Sequence, residues 1–451
     1  MKFSEFKDKC FVAAARHGFS CWELYYAVSS NFSVRVRNGE IAEYKNAGQS
    51  GLSFRGMYKG KMGYVFTERL DAGLIDVLME KAVENALVIN SADTDKLFRE
   101  KTDYPETQSY NSALDSLTAG EKIQMALDME KAALESDSRV KAVNYCTVTS
   151  GAGEVCVSNS YGLDLSHNSN IICAYLQPQV EENGKVKTWS DFWYGRDLNA
   201  FSPERLAQTT VQTALACLPA KTIPSGGMAV LFSPDAAADL FGSFISIFFA
   251  ERVQKGFSLL KNKIGLPVAS PAVTIRDDGI CEKSVINTPF DSEGVPCGNK
   301  LIINKGVLQT FLYNLKSAEK DKTASTGNGF KPNFRSPVET ACTNFYIEPS
   351  GASPEQMISN IPYGIKITAL TGLHSGANPT TGDFSLSASG QKIENGQITK
   401  PVEQIAVSGN FYDLLHNIVS VGNDLRFGMP ASLGTIGMPS ILVGKLMISG
   451  E

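Results

Sequence analysis

Residues 21–45 read CWELYYAVSSNFSVRVRNGEIAEYK. Apolar and polar side chains alternate through most of the stretch, and Asn38-Gly39 interrupts the alternation. A period of two places one set of side chains on one face of a strand. Asn-Gly supplies the two positive-φ residues that a type I′ turn requires. The pattern predicts successive strands, 21–30 and then 31–45 folded back at Asn38, continued by QSGLSFRGMY (49–58) and KMGYVFTE (61–68). Strands joined this tightly pair antiparallel, so this stretch sets the fold class.

Working outward, residues 2–17 have helical spacing, closed by Gly18. Residues 71–90 return to that spacing, and 91–117 read as a polar connection. Thr118-Ala119-Gly120-Glu121 is a capping box that opens a helix through about Glu135. Strands follow from Val140 to Tyr194, with a second Asn-Gly turn at Asn183-Gly184. Ser202-Pro203-Glu204, Ser233-Pro234-Asp235 and Ser353-Pro354-Glu355 share one start chemistry: serine caps free N–H groups, proline fits the first helical position, and the acid meets the positive helix end. KTIPSGG (221–227) precedes the apolar strand MAVLF and marks the expected boundary between an N-terminal domain, 1–220, and a C-terminal, β-rich domain, 221–451. Asn304-Lys305-Gly306 and Asn395-Gly396 signal further hairpins. Helices do not alternate regularly with strands. The expected fold is therefore α+β, with mainly antiparallel sheets and flanking helices in both halves.

Composition narrows the function. The chain of 451 residues has 42 basic and 47 acidic side chains, and no basic block offers a nucleic-acid footprint. The nine cysteines are scattered without C-x-x-C, which points to buried free thiols in a reducing compartment rather than to disulfides or a thiolate zinc cluster. The most apolar run, AAADLFGSFISIFFA (236–250), contains Asp239 and is shorter than the roughly 20 residues a membrane span needs. It reads as a buried helix, and the N-terminus lacks the apolar core of a signal peptide. The expectation is a cytoplasmic protein with no membrane and no direct nucleic-acid partner.

Familiar catalytic motifs are missing. The four histidines, His17, His167, His374 and His416, form no H-E-x-x-H, and neither G-x-S-x-G nor a P-loop occurs. Ser258-x-x-Lys261 and Ser317-x-x-Lys320 match S-x-x-K without the accompanying K-T-G. Asp277-Asp278, before Gly279, reads as a turn. Asp291, Glu293 and Gly294 read as a solvated loop, with a groove wall as the alternative. Residues 371–390, TGLHSGANPTTGDFSLSASG, could wall a ligand channel or form a tight loop pinned by Asp383.

These segments carry a resemblance. GLHSGANPTTGDFSLSASGQKIENGQITKPVEQIAVSGNFYDLL (372–415), IINKGVLQTFLYN (302–314), DDG (277–279) and GMPASLGTIGMPSILVGK (428–445) resemble the TldD/PmbA family. The likeness is specific in the second half and diffuse in the first. It implies a two-domain α+β fold and a dimer around a closed cavity. TldD-type members are cytoplasmic zinc metallopeptidases with H-E-x-x-x-H on a helix and a C-terminal cysteine, the glutamate acting on a metal-bound water. Here Phe241, Gly242 and Ser246 stand approximately where His, Glu and His are expected, and no cysteine follows Cys342. The resemblance therefore implies a PmbA/TldE-type subunit with no catalytic residues and no metal of its own. Zinc is expected on a TldD-type partner, or the chain forms a homodimer. The expected substrate is an unfolded or leader-bearing peptide, held by Gly372, His374, Ser375, Gly376, Asn378, Gly382 and Asp383 through main-chain pairing. The alternatives are a regulatory protein acting on DNA gyrase and a stand-alone hydrolase with an unconventional site.

Overall fold

The computed structural model describes residues 1–90, 95–100, 102–430 and 434–451. Residues 91–94 and 101 of the expected polar connection, and 431–433 of the C-terminal segment, lie outside the described residues.

The first half runs α1 (Phe3–Arg16), β1 (Cys21–Arg37), β2 (Glu40–Tyr58), β3 (Lys61–Thr67), α2 (Ile75–Leu87), α3 (Ser112–Asp115) and α4 (Ala119–Ser136). It continues through β4 (Val140–Asn159), β5 (Asp164–Glu182), β6 (Lys185–Thr188), β7 (Asp191–Gly195) and α5 (Pro203–Ala216). The strands form one antiparallel sheet in the order β3-β2-β1-β4-β5-β6, with β7 also on β5. Asn38 and Gly39 turn at φ of 56° and 76°, as the Asn-Gly signal requires. The expected break at residue 30 is absent. Ser29, Ser30 and Asn31 pair with Gln49, Gly48 and Ala47 on one side and with Gly153, Ala152 and Gly151 on the other. The polar tripeptide lies where β1 passes from one core to the next. Leu24 packs with α1 and α2, and Phe32, Val34 and Val36 pack with α4 and α5. From the other face of β1, Tyr25 meets Phe290 and Phe334 of the second half.

The second half continues with β8 (Gly226–Phe232), α6 (Pro234–Phe244), α7 (Ala250–Gln254), β9 (Ile275–Asp278), β10 (Asn299–Asn304), β11 (Val307–Leu308) and α8 (Leu315–Asp321). Next come β12 (Gly329–Phe330), β13 (Glu339–Thr340), β14 (Asn344–Ile347), α9 (Pro354–Ser359), β15 (Tyr363–Thr371) and α10 (Leu373–Gly376). The chain ends with β16 (Asp383–Glu394), β17 (Gln397–Asn410), α11 (Phe411–His416), β18 (Ile418–Val421), β19 (Arg426–Phe427), β20 (Thr435–Met438) and β21 (Ile441–Ser449). One sheet runs β17-β16-β15-β8-β21-β18, and pairing of β17 with β21 closes its first five strands into a ring. The other runs β11-β10-β9-β14-β20-β19. Only β8–β15 and β14–β20 pair parallel among the described strands, so α+β with mainly antiparallel sheets holds. The three Ser-Pro-acid starts open α5, α6 and α9, each with its serine oxygen accepting a backbone N–H.

The apolar run expected to be one helix through Ala250 stops at Phe244. Ile245–Phe248 tighten into a 3₁₀ turn. Leu312 N–H then donates to Phe248 O, and Ala250 N–H donates to Leu312 O. The neighbouring segment recruits these backbone groups, and the β-branched and aromatic side chains there favour the helix weakly. Two acidic readings also change. Asp277 lies in β9, fully buried, with Lys300 Nζ at 2.9 Å and the Thr343 N–H at 2.6 Å; the turn begins only at Asp278, which accepts from Ile280 N–H. Asp291 and Glu293 are buried rather than solvated. Asp291 accepts the Glu293, Val295 and Gly329 N–H groups, and Glu293 pairs with Arg55 across the two halves.

Candidate functional site

A cleft of about 1030 Å³ opens where the first-half sheet meets α6. Asp235, Ala238, Asp239, Gly242 and Ser243 face it from α6, at the spacing that shares one side of a helix. The opposite side, Ala236, Ala237, Leu240, Phe241 and Phe244, is buried. Phe244 stacks on Phe411 at 4.4 Å, and Phe241 meets the same ring edge-on at 5.0 Å. Tyr175, Trp189, Asp191 and Phe192 form the wall from the first half; Thr371, Leu373, His374 and Met429 line the remainder.

The cleft carries an acidic charge pattern. Arg426 donates to Asp191 at 2.6 Å, sits 3.2 Å from Asp235 and lies over the Phe192 ring. Burial raises the Asp235 carboxyl, Arg426 opposes the rise, and Asp191 adds to it. One turn on, the cleft walls and then the Asp235 charge raise the Asp239 carboxyl to about 6. Among the described residues its side chain has no hydrogen-bond partner.

The sequence-named residues divide. Of the glycine-rich set, His374 alone lines the cleft. Gly372 starts α10 at φ +84° and accepts the Gly376 N–H at 2.8 Å; Ser375 N–H also returns to Gly372 O. Asn378 Oδ1 accepts from Thr380 N–H, and its carbonyl accepts from Gly382 N–H. Gly382 has φ +88° and abuts Tyr412. Asn410 Nδ2 donates to Asp383 Oδ1 at 2.9 Å and holds that carboxyl below its ordinary range, with Thr381 adding to the effect. A Cβ at Gly376 would stand 2.4 Å from Ser385 O, so a bulky replacement there distorts the loop itself. Most of this stretch is occupied with its own backbone. The S-x-x-K serines are likewise used locally: Ser258 donates to Ile247 O, and Ser317 completes a capping box with Asn314.

A metallopeptidase site needs convergent imidazole, thiolate or carboxylate donors. Phe241 points into the core, Gly242 lines the cleft without a side chain, and Ser246 lies in the 3₁₀ turn. Among the described residues no three His, Cys, Asp or Glu side chains converge to hold a metal. These residues do not fit a catalytic zinc. The sequence reading missed Asp191, Asp235 and Asp239 as cleft groups, and Arg426 as the cation paired with two of them. The signal was the i, i+4 pair Asp235 and Asp239 opposite the phenylalanine side of α6.

Two halves built mainly on antiparallel sheets meet at this cleft, which defines the α+β class of the protein. Residues 225–450 match the PmbA/TldA metallopeptidase C-terminal domain, 112–218 the central domain and 22–87 domain 1. The chain belongs to the PmbA/TldD family. It is 26% identical over 436 residues to the metalloprotease PmbA of Escherichia coli O157:H7, covering 95% of this chain and 92% of that one. A metalloprotease TldD homolog of Haemophilus influenzae is 25% identical over 458 residues, with 95% and 92% covered. A Thermotoga maritima structure, solved under the name of a modulator of a DNA gyrase, is 33% identical with a TM-score of 0.91, covering 99% of this chain and 100% of that one. TldE from Thermococcus kodakarensis shares the fold at a TM-score of 0.89 and 24% identity, covering 99% and 100%. Among the described residues no helix is long and apolar enough to cross a membrane.

Proposed function

We propose that this chain is a PmbA/TldE-type subunit without a catalytic metal site of its own, acting with a TldD-type subunit that carries zinc. In this reading the cleft beside α6 receives an extended peptide that the partner cleaves. The observation that carries it is the composition of α6 and the 3₁₀ turn after it: where the resemblance expects the motif stand a core phenylalanine, a glycine and a serine, none suited to serve as zinc ligand or general base. Membership in a family of metallopeptidase domains supplies the context.

The reading is tested with an unstructured peptide incubated with this chain alone, with a TldD-type subunit alone and with both. It predicts cleavage that depends on the TldD-type subunit, is increased by this chain and is abolished by a chelator. Turnover by this chain alone overturns it.

A further inference from the structure

A second cavity, of about 570 Å³, lies between the first-half sheet and the α7–α8 region and shares no lining residue with the cleft. Its inner wall holds Arg55, Tyr64, Glu293 and Lys331, and its rim holds Lys255 and Lys320. The acids that line it are already engaged. Glu319 binds Lys96, Asp95 lies 3.6 Å from Lys316, Glu251 accepts from Asn314 and Thr340, and Glu293 accepts from Arg55 and the Leu315 N–H.

Among the described residues, the cations keep donors that no acid of the cavity takes up. Arg55 uses Nε on Glu23 at 2.8 Å and Nη1 on Glu293 at 3.0 Å, and its Nη2 is buried with no acceptor among the described residues. Lys331 Nζ donates to Ser53 Oγ at 2.7 Å, with the Tyr25 and Tyr64 rings at 4.9 and 4.8 Å. At the exposed rim, Lys255 and Lys320 have no partner among the described residues. A buried guanidinium donor without an acceptor carries a desolvation cost that a ligand oxygen would remove. Burial at the inner end lowers the local dielectric and strengthens charge–charge attraction there. The whole chain carries −5, so a positive cavity has a local origin.

We infer that this cavity binds an oxyanion group, carboxylate or phosphate, with Lys255 and Lys320 drawing it in and Arg55 and Lys331 meeting it at the inner wall. The inference is independent of peptide processing and concerns a different site.

Calorimetric titration of the full chain with inorganic pyrophosphate at low salt tests it. The expected result is saturable binding at one site, weakened at least about tenfold in K255A/K320A. It is unchanged in K45A/K400A, which removes two exposed lysines elsewhere. Both pairs are on the surface, so folding is not at risk. A peptide with a free C-terminus and its amidated form then compete with pyrophosphate. Competition by the free form alone identifies a peptide carboxylate as the source, and competition by neither identifies a phosphate-bearing small molecule. No saturable pyrophosphate binding, or equal weakening in the two double variants, overturns the inference.

Discussion

The cleft beside α6 and the cavity around Arg55 lie in one molecule but hold charge in opposite ways. The cleft leaves a carboxylate, Asp239, without a partner among the described residues, in a solvent-reachable groove. The cavity buries Arg55 between two glutamates and surrounds them with ammonium groups. The first arrangement costs little fold stability, because Asp239 stands mid-helix on the cleft side of α6, opposite the buried phenylalanines. The second ties β1 and β2 to the 291–294 loop, and so joins the two halves. A charge that faces a groove can be changed cheaply; a charge that joins halves cannot.

The largest expected effect lies in the buried triad. Arg55→Ala leaves Glu23 and Glu293 buried without their cation and should cost about 3–5 kcal/mol. A loss below about 1 kcal/mol in chemical denaturation would break the comparison, since such a value suits an exposed pair. Close behind comes the core side of α6. Phe241→Ala removes an aromatic ring packed on Phe411 and should cost about 3–5 kcal/mol. The replacement F241H/G242E/S246H should gain no chelator-sensitive peptidase activity on its own and should lower the melting temperature, because residue 241 faces the core. Measurable metal-dependent turnover in that variant would show that α6 can rotate its motif face into the cleft.

The pH dependences sharpen the contrast further. Lys331 is lowered from 10.5 to about 7, chiefly by burial, with Arg55 adding and Glu23 and Glu293 opposing. Its folded state gives up the proton first. Below about pH 7 the chain bears the full cost of the buried ammonium, and that cost declines as pH rises toward 10.5. The stability of wild type relative to Lys331→Met should therefore rise with pH across this window. Asp239 works in the other direction. Raised from 3.8 to about 6, it keeps its proton longer in the folded state, so its contribution falls as pH climbs through that range and stays low above it. Asp239→Asn should remove this fall and raise the melting temperature slightly at pH 7. A smaller effect belongs to the helix start. Ser233→Ala removes the oxygen that accepts Ala236 N–H and should cost about 1 kcal/mol.

What was legible in the sequence follows from range. The Asn38-Gly39 hairpin, the Thr118 capping box and the Ser-Pro starts depend on neighbours within a few residues, and each appears where the pattern placed it. The continuity of β1 through Ser29–Asn31 depends on partners more than a hundred residues away at Gly151–Gly153, which no local pattern encodes. Asp277, Asp291 and Glu293 looked like loop acids because their partners, Lys300, Gly329 N–H and Arg55, come from elsewhere in the fold. For the cleft, the glycines around His374 were conspicuous and yet are mostly engaged within their own loop. The acids that face the groove, Asp191, Asp235 and Asp239, and the Arg426 that pairs with two of them, come from distant segments. That Phe241 and Gly242 can neither bind a metal nor move a proton was readable, because it is a property of the residues themselves.

The most direct test of the central claim is peptide turnover by this chain, alone and mixed with a TldD-type subunit, with and without chelator. The account predicts no cleavage by the chain alone, and chelator-sensitive cleavage by the mixture beyond that of the TldD-type subunit alone. Cleavage by the chain alone would contradict it.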